Sequence, residues 1–283
     1  MSYIFNSTQQ QRAEIVAHNA LRFVQQRDAG LPAAIINALW FEGDPADVVT
    51  ALHPYQNPDG GFGNRLEPDI HAPESNPFAA RLAMQVMRTF PEADFGELKT
   101  GLAKWLEENQ AEDGDWHFSA ATKAGVLQPW FAGWTFPSLN PACCIAGLAT
   151  AIGVATPTMM ARVATLFEAM ASPEAARAAS FYELLPYVEY TLGVTLPDEY
   201  LDAIAANITA TGNGFEDGSH FFDMAMGGSG EITSRIPDNL IAHWTDRLLL
   251  EPHDDGGWPT AYDDAWRSWF TATNLIMLAK MRD

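Results

Sequence analysis

Cysteine is nearly absent from this chain. Only Cys143 and Cys144 occur in 283 residues, and they are adjacent. Neighbouring thiols pair poorly with each other, so no disulfide framework is expected, and the usage suits a reducing cytoplasm. In an apolar, small-residue run such thiols serve packing rather than catalysis. Positive charge is also scarce: 16 Lys and Arg stand against 36 Asp and Glu, a formal net charge of −20. That balance serves solubility and argues against a nucleic-acid backbone or an anionic membrane surface as partner. No stretch approaches the roughly 18 uninterrupted apolar residues of a transmembrane segment. The start, Met1 to Thr8, has no basic region followed by an apolar run. Strand patterns, a P-loop, a CxxC pair and a Ser-His-Asp set are all missing. Met226-Gly227-Gly228-Ser229-Gly230 lacks the glycine spacing and preceding strand of a dinucleotide fingerprint. The sequence therefore singles out no cofactor, and no specific metal motif.

What is present is a repeated turn. Gln56-Asn57-Pro58-Asp59-Gly60-Gly61-Phe62 returns as Gln110-Ala111-Glu112-Asp113-Gly114-Asp115-Trp116 and as His253-Asp254-Asp255-Gly256-Gly257-Trp258, with a fainter copy at Asn213-Gly214-Phe215-Glu216-Asp217-Gly218. Asp-Gly and Gly-Gly supply the positive-φ positions of a tight reversal. The following aromatic can fold back on the preceding helix, and the leading Gln can bond backbone groups left open at a helix end. Read in this way, His253 takes the place of Gln in the third copy. Repetition at this spacing points to stacked helical hairpins.

Periodicity and polar-residue-then-proline starts such as Asp44-Pro45, Asn76-Pro77, Thr156-Pro157 and Ser172-Pro173 predict about eleven helices. They cover 8–27, 33–41, 44–55, 77–89, 94–110, 142–152, 157–170, 173–192, 198–211, 237–249 and 264–281. Gly30-Leu31-Pro32 ends the first, and the small residues of 142–152 suit a closely packed inner helix. Three stretches read as irregular: 64–76, 116–138 and 212–236. The hydrophobic fraction of 47% and nine Trp fit a packed all-α domain spanning 1–283.

A helix ending near Gln, followed by Asp-Gly-x-aromatic, resembles the QW repeat of terpenoid cyclases and protein prenyltransferases. The resemblance implies an α/α toroid, a double ring of helical hairpins around a central cavity that takes a small-molecule ligand. Cyclases of that kind protonate an alkene with an Asp-x-Asp-Asp run. Here Asp69 matches the leading Asp, while His71 and Ala72 stand where the next two belong, so the usual acid is missing. The zinc-binding prenyltransferases are matched less well, because neither Cys143 nor Cys144 has an Asp two positions earlier or a neighbouring His.

The residues themselves offer four sets. Glu67, Asp69, His71 and Glu74 lie within eight positions before a helix and carry acid–base or oxygen-ligand chemistry, against a reading as loop and cap groups. Asp217, His220 and Asp223 form a looser cluster, and Asp254, Asp255, Tyr262, Asp263 and Asp264 a third. Trp130, Trp134 and Trp244, with Tyr187 and Tyr190 beside Glu183, could line an apolar pocket or stabilise a cation. Asp69, His71, Glu74 and Glu67 are thus the catalytic candidates, and Trp130, Trp134, Trp244, Tyr187, Glu183 and His220 the substrate-binding ones. The expected function is a terpenoid-cyclase-like enzyme acting on an isoprenoid-like molecule. The alternatives are a carbohydrate-active toroid lyase or hydrolase with carboxylates set across tryptophan platforms, and a non-catalytic binding protein that kept the fold.

Overall fold

The computed structural model describes residues 4–211 and 217–282. The chain is all-helical, with sixteen α-helices, two short 3₁₀ turns and no strand among the described residues. In order they are α1 Ser7–Gln26, α2 Gly30–Trp40, α3 Pro45–Leu52, α4 Pro77–Thr89, α5 Gly96–Asn109 and α6 Ala120–Ala124. Then come α7 Pro129–Ala132, α8 Leu139–Ala151, α9 Pro157–Met170, α10 Pro173–Ala178 and α11 Phe181–Tyr190. The last five are α12 Asp198–Thr211, α13 Gly218–Met226, α14 Gly230–Thr233, α15 Asp238–Leu248 and α16 Arg267–Ala279. Among the described residues no helix is long and apolar enough to cross a membrane.

The helix starts follow local chemistry. Asn76, Thr156 and Ser172 each accept an N–H three residues on, with proline as the next residue. This satisfies an orphan donor and spends the proline where no N–H is needed. Asn6 and Gln9 form a reciprocal capping box on α1. Three expectations need correction. Pro32 does not end the first helix; it sits in the first turn of α2, where its missing N–H costs nothing. The stretch 173–192 is two helices, because Ser180 and Glu183 cap a new start at Phe181. Of the stretch 212–236, the described part 217–236 is mostly helical rather than irregular: Asp217 caps α13 by accepting the His220 N–H, and the apolar run behind it buries Phe221, Phe222 and Met224.

The chain divides into two compact units, 1–51 with 208–283, and 52–207. In the first, α1 and α2 pack with α16, and α13 packs with α14, α15 and α16. In the second, α8 is central, with α4, α9 and α11 against it. Every residue from Asn140 to Ala149 is buried, as befits a helix covered on all sides. Gly147 lets the α11 backbone approach so closely that a Cβ there would collide with the Glu189 carbonyl.

The three good turn copies share one construction. The N–H of Asn57, Ala111 or His253 donates to the carbonyl of residue 61, 115 or 257 at 2.8–3.0 Å. Asp59, Asp113 and Asp255 each accept the N–H two residues ahead. Gly60, Gly114 and Gly256 hold φ of 89°, 93° and 93°. Each of these glycines abuts the backbone of a helix: Gly101 on α5, Arg162 on α9 and Asn19 on α1. Phe62, Trp116 and Trp258 are buried, and both indoles donate back to the helix before the turn, to Leu106 O and Leu248 O at 2.9 and 3.0 Å. The side-chain amides of Gln56 and Gln110 tie turn to helix by bonding Gly60 O and Leu98 O, or Gly114 O and Met159 O. This register corrects the alignment of the third copy. His253 corresponds to Asn57, and Pro252 occupies the Gln position. The fainter copy at 213–218 lies mostly outside the described residues.

Candidate functional site

The first turn delivers the chain into the loop 63–76. Asn64 and Arg65 both take left-handed backbone angles, with φ of 53° and 64°. The loop is tied to itself by Asn64 N–H to Pro73 O and Asn76 N–H to Phe62 O. Asn57 and Asp59 of the turn hold it through Pro73 O and the Ser75 hydroxyl. It also pairs with 126–128: the His71 N–H donates to Val126 O and the Gln128 N–H to Asp69 O, both at 3.0 Å. The loop backbone is thereby fixed from both sides, which is what a positioned acid or base requires.

This geometry separates the four catalytic candidates. Glu67 and Asp69 are buried, at 5% and 4% exposure. His71 is exposed and Glu74 half-buried. Glu67 Oε1 accepts the Asp69 N–H at 3.3 Å. Burial, reinforced by the neighbouring Asp69 charge, pushes the Glu67 pKa up to about 8, against the opposing pull of that N–H and of Arg81. Glu67 therefore holds its proton at neutral pH.

Several polar groups near it were not singled out by the sequence reading. Arg81 on α4 grips Glu189 on α11 in a bidentate pair, Nε to Oε2 at 2.7 Å and Nη2 to Oε1 at 2.8 Å. Gln85 donates to the same Oε1 at 2.7 Å. Arg88, one turn further along α4, is held below the usual arginine pKa by burial, with Glu189 opposing. Arg81, Gln85 and Arg88 recur at i, i+4 and i+7, a polar stripe on an otherwise buried helix, and that spacing was the available signal. Glu189, set between Val188 and Tyr190, was another. Burial first, then the Glu189 charge, drives the Cys144 thiol pKa well up, and burial does the same for Cys143. Both cysteines are thus inert packing groups. Asp115, the last residue before Trp116, is fully buried; its oxygens accept the Trp116 and Ser138 N–H groups, and burial raises its pKa to about 6.

The aromatic candidates scatter. Trp134 belongs to a cluster built on Ile70, Ala72, Phe78, Phe118 and Phe131, and its ring lies 4.9 Å from Phe78. Phe78 and Phe131 are 4.6 Å apart. Ile70 and Ala72 lie on the acidic loop, so these rings form its apolar flank. Trp130, by contrast, is 48% exposed. Tyr187 is buried with Phe167 and Tyr200, and Glu183 caps α11 through Ser180. The other unit holds Trp244 and His220. Trp244 is core, stacked on Phe221 at 5.3 Å with Arg247 over its ring. His220 bonds Asp217 and Tyr262. Glu216, next to Asp217 in sequence, lies outside the described residues, and Asp223 is half-buried one turn along α13. Asp255 and Asp264 are engaged with Arg267 and Arg27 respectively. No group of three His, Cys, Asp or Glu side chains is gathered as metal ligands among the described residues.

Comparison of the chain with family models, with curated proteins and with solved structures returns no match.

Proposed function

We propose that this protein is a terpenoid-cyclase-like small-molecule enzyme with an α/α-toroid arrangement of its hairpins, and that Glu67 is its general acid. The observation that carries the reading is the buried Glu67 carboxyl beside a second buried carboxyl, Asp69, an environment that raises its pKa to about 8, on a loop whose Ile70 and Ala72 pack into an aromatic cluster. A neutral acid in such surroundings can protonate an apolar substrate, and the rings beside it can stabilise the cation that results. On this reading Asp69 sets the proton affinity of Glu67, and Arg81 with Glu189 forms a fixed polar floor. The substrate class that fits is a neutral isoprenoid-like alkene or alcohol, as the repeat resemblance implies.

The experiment is incubation with linear isoprenoid hydrocarbons and alcohols, with products analysed by gas chromatography across pH 5–9. Turnover should be flat below about pH 8 and fall above it as Glu67 ionises. Glu67→Gln should lose about 10²–10⁴-fold in rate while keeping its fold. Asp69→Asn removes the charge that raises the Glu67 pKa, so the alkaline limb should move to lower pH. Full activity in Glu67→Gln would overturn the acid assignment, and absence of any product from the whole panel would overturn the substrate class.

A further inference from the structure

Outside that site, the unit formed by 1–51 and 208–283 contains a chain of three side chains that capping does not use up. Asp217 Oδ1 accepts both the His220 backbone N–H, at 2.9 Å, and the ring Nδ1, at 2.8 Å. The opposite ring nitrogen, Nε2, lies 3.1 Å from the Tyr262 hydroxyl. A cap needs only the backbone bond. The ring bond orients the imidazole, and its far nitrogen meets a phenol 42 residues away in sequence. Nδ1 must carry the proton shared with the carboxylate, so in the neutral ring Nε2 accepts and the Tyr262 O–H donates. Carboxylate, imidazole and hydroxyl then stand in the order that activates a nucleophile.

The surroundings suit that role. His220 is 8% exposed and Tyr262 half-buried, so the base is shielded while the hydroxyl side chain stays partly open. Phe270 and Trp266 flank the phenol, with ring centroids 5.8 and 6.4 Å from it. A further charged group beside Asp217 is Glu251, whose carboxylate accepts the Gly218 N–H and pairs with Arg247 at 3.4 Å. Burial alone would raise the Asp217 pKa, but bonds and charge from His220 outweigh it and hold the carboxyl below its ordinary value.

We propose that Asp217, His220 and Tyr262 form an acyl-accepting site for activated esters. The Tyr262 oxygen attacks the ester carbonyl carbon, its proton passing to His220 Nε2. The new bond is Tyr O to acyl carbon, the broken one is acyl carbon to leaving-group oxygen, and the leaving group departs with the electron pair. The ring gives that proton to the departing leaving-group oxygen and is neutral again. Water then attacks the acyl carbon, its proton passing to His220 Nε2 and from there to the phenol oxygen as the Tyr O–acyl bond breaks, which releases the carboxylic acid.

The test uses the full chain and p-nitrophenyl acetate, with acetylation of each tyrosine followed by peptide mass spectrometry. Tyr182, 49% exposed, is the internal reference for a phenol outside the relay. Tyr262 should be acetylated faster than Tyr182 although it is less accessible. His220→Gln should slow Tyr262 by about 10²-fold and leave Tyr182 unchanged. Asp217→Asn keeps a good helix cap and removes the charge, so it should slow Tyr262 with α13 intact, and it serves as the test if the His220 variant unfolds. Tyr262 reacting no faster than Tyr182, or at the same rate in Asp217→Asn, would overturn the proposal and leave the relay as a helix cap.

Discussion

Arg267 grips Asp255 with both terminal guanidinium nitrogens, at 2.8 and 2.9 Å, and so does for the third turn what a glutamine amide does for the other two. The same side chain donates to Gly257 O and Trp258 O and lies over the Phe23 ring at 4.6 Å. One turn is therefore held by charge where its two counterparts are held by neutral amide bonds.

That difference should be measurable. The Arg267 bond, with smaller help from its charge, holds the Asp255 pKa below its ordinary value. Its contribution is thus present above about pH 3.8 and lost as pH falls through the depressed value. The carboxylate is 46% exposed, so Asp255→Asn should cost less than about 1 kcal/mol. Arg267→Met also breaks the two carbonyl bonds and should cost about 1–2 kcal/mol. Urea melts at low and high salt decide the matter: the Asp255→Asn effect should shrink with salt, whereas Gln56→Ala should be indifferent to it.

Gly60 and Gly153 allow backbone strain to be separated from docking. Both have positive φ, but a Cβ at Gly153 meets nothing within 4 Å, whereas at Gly60 it strikes the Gly101 backbone. Gly153→Ala should cost about 1 kcal/mol, the strain alone, and Gly60→Ala about 2–4 kcal/mol because α5 must also shift. Equal melting temperatures for the two variants would refute close docking of the turn.

Glu67 should make the protein lose stability as pH rises. Its folded pKa is raised from 4.5 to about 8, so the native state binds the extra proton between those values, and its contribution declines across that window. Glu67→Gln removes the dependence. The variant should gain on wild type from pH 5 to pH 8, by on the order of a few kcal/mol at most. Parallel stability curves across that range would refute the buried neutral acid.

The Arg81–Glu189 pair should respond asymmetrically. Removing one partner, as in Glu189→Leu, leaves a largely buried guanidinium and should cost about 3–5 kcal/mol. Replacing both, as Arg81→Met with Glu189→Leu, should recover much of that loss. Chemical denaturation of the two single variants and the double variant gives the coupling directly.

The sequence reading reached helices and turns because their causes are local. Asn76-Pro77 or Asp59-Gly60 carries its own geometry, and neither depends on what packs against it. Burial on the loop was less legible. Glu67 and Asp69 lie between buried Leu66 and Ile70, while exposed His71 and half-buried Glu74 follow a few positions on, and no local pattern separates the two pairs. Glu189 was harder still, since its partner Arg81 is 108 positions away. The third turn misled by one residue because His253 looked like a polar substitute for Gln. Its actual fastener, Arg267, lies beyond the motif.

Gly147 carries one more implication. The Glu189 carboxylate can reach Arg81 and Gln85 only because α11 rests directly on the bare backbone of α8. The address of that charge is therefore written at a position with no side chain, which meets Glu189 at its backbone and not at its carboxylate. A methyl group there would act as a spacer, prising the two helices apart and uncoupling the ion pair without altering any of its atoms. In a variant library, residue 147 should therefore behave like a member of the polar constellation, intolerant of change for reasons its own chemistry would never suggest.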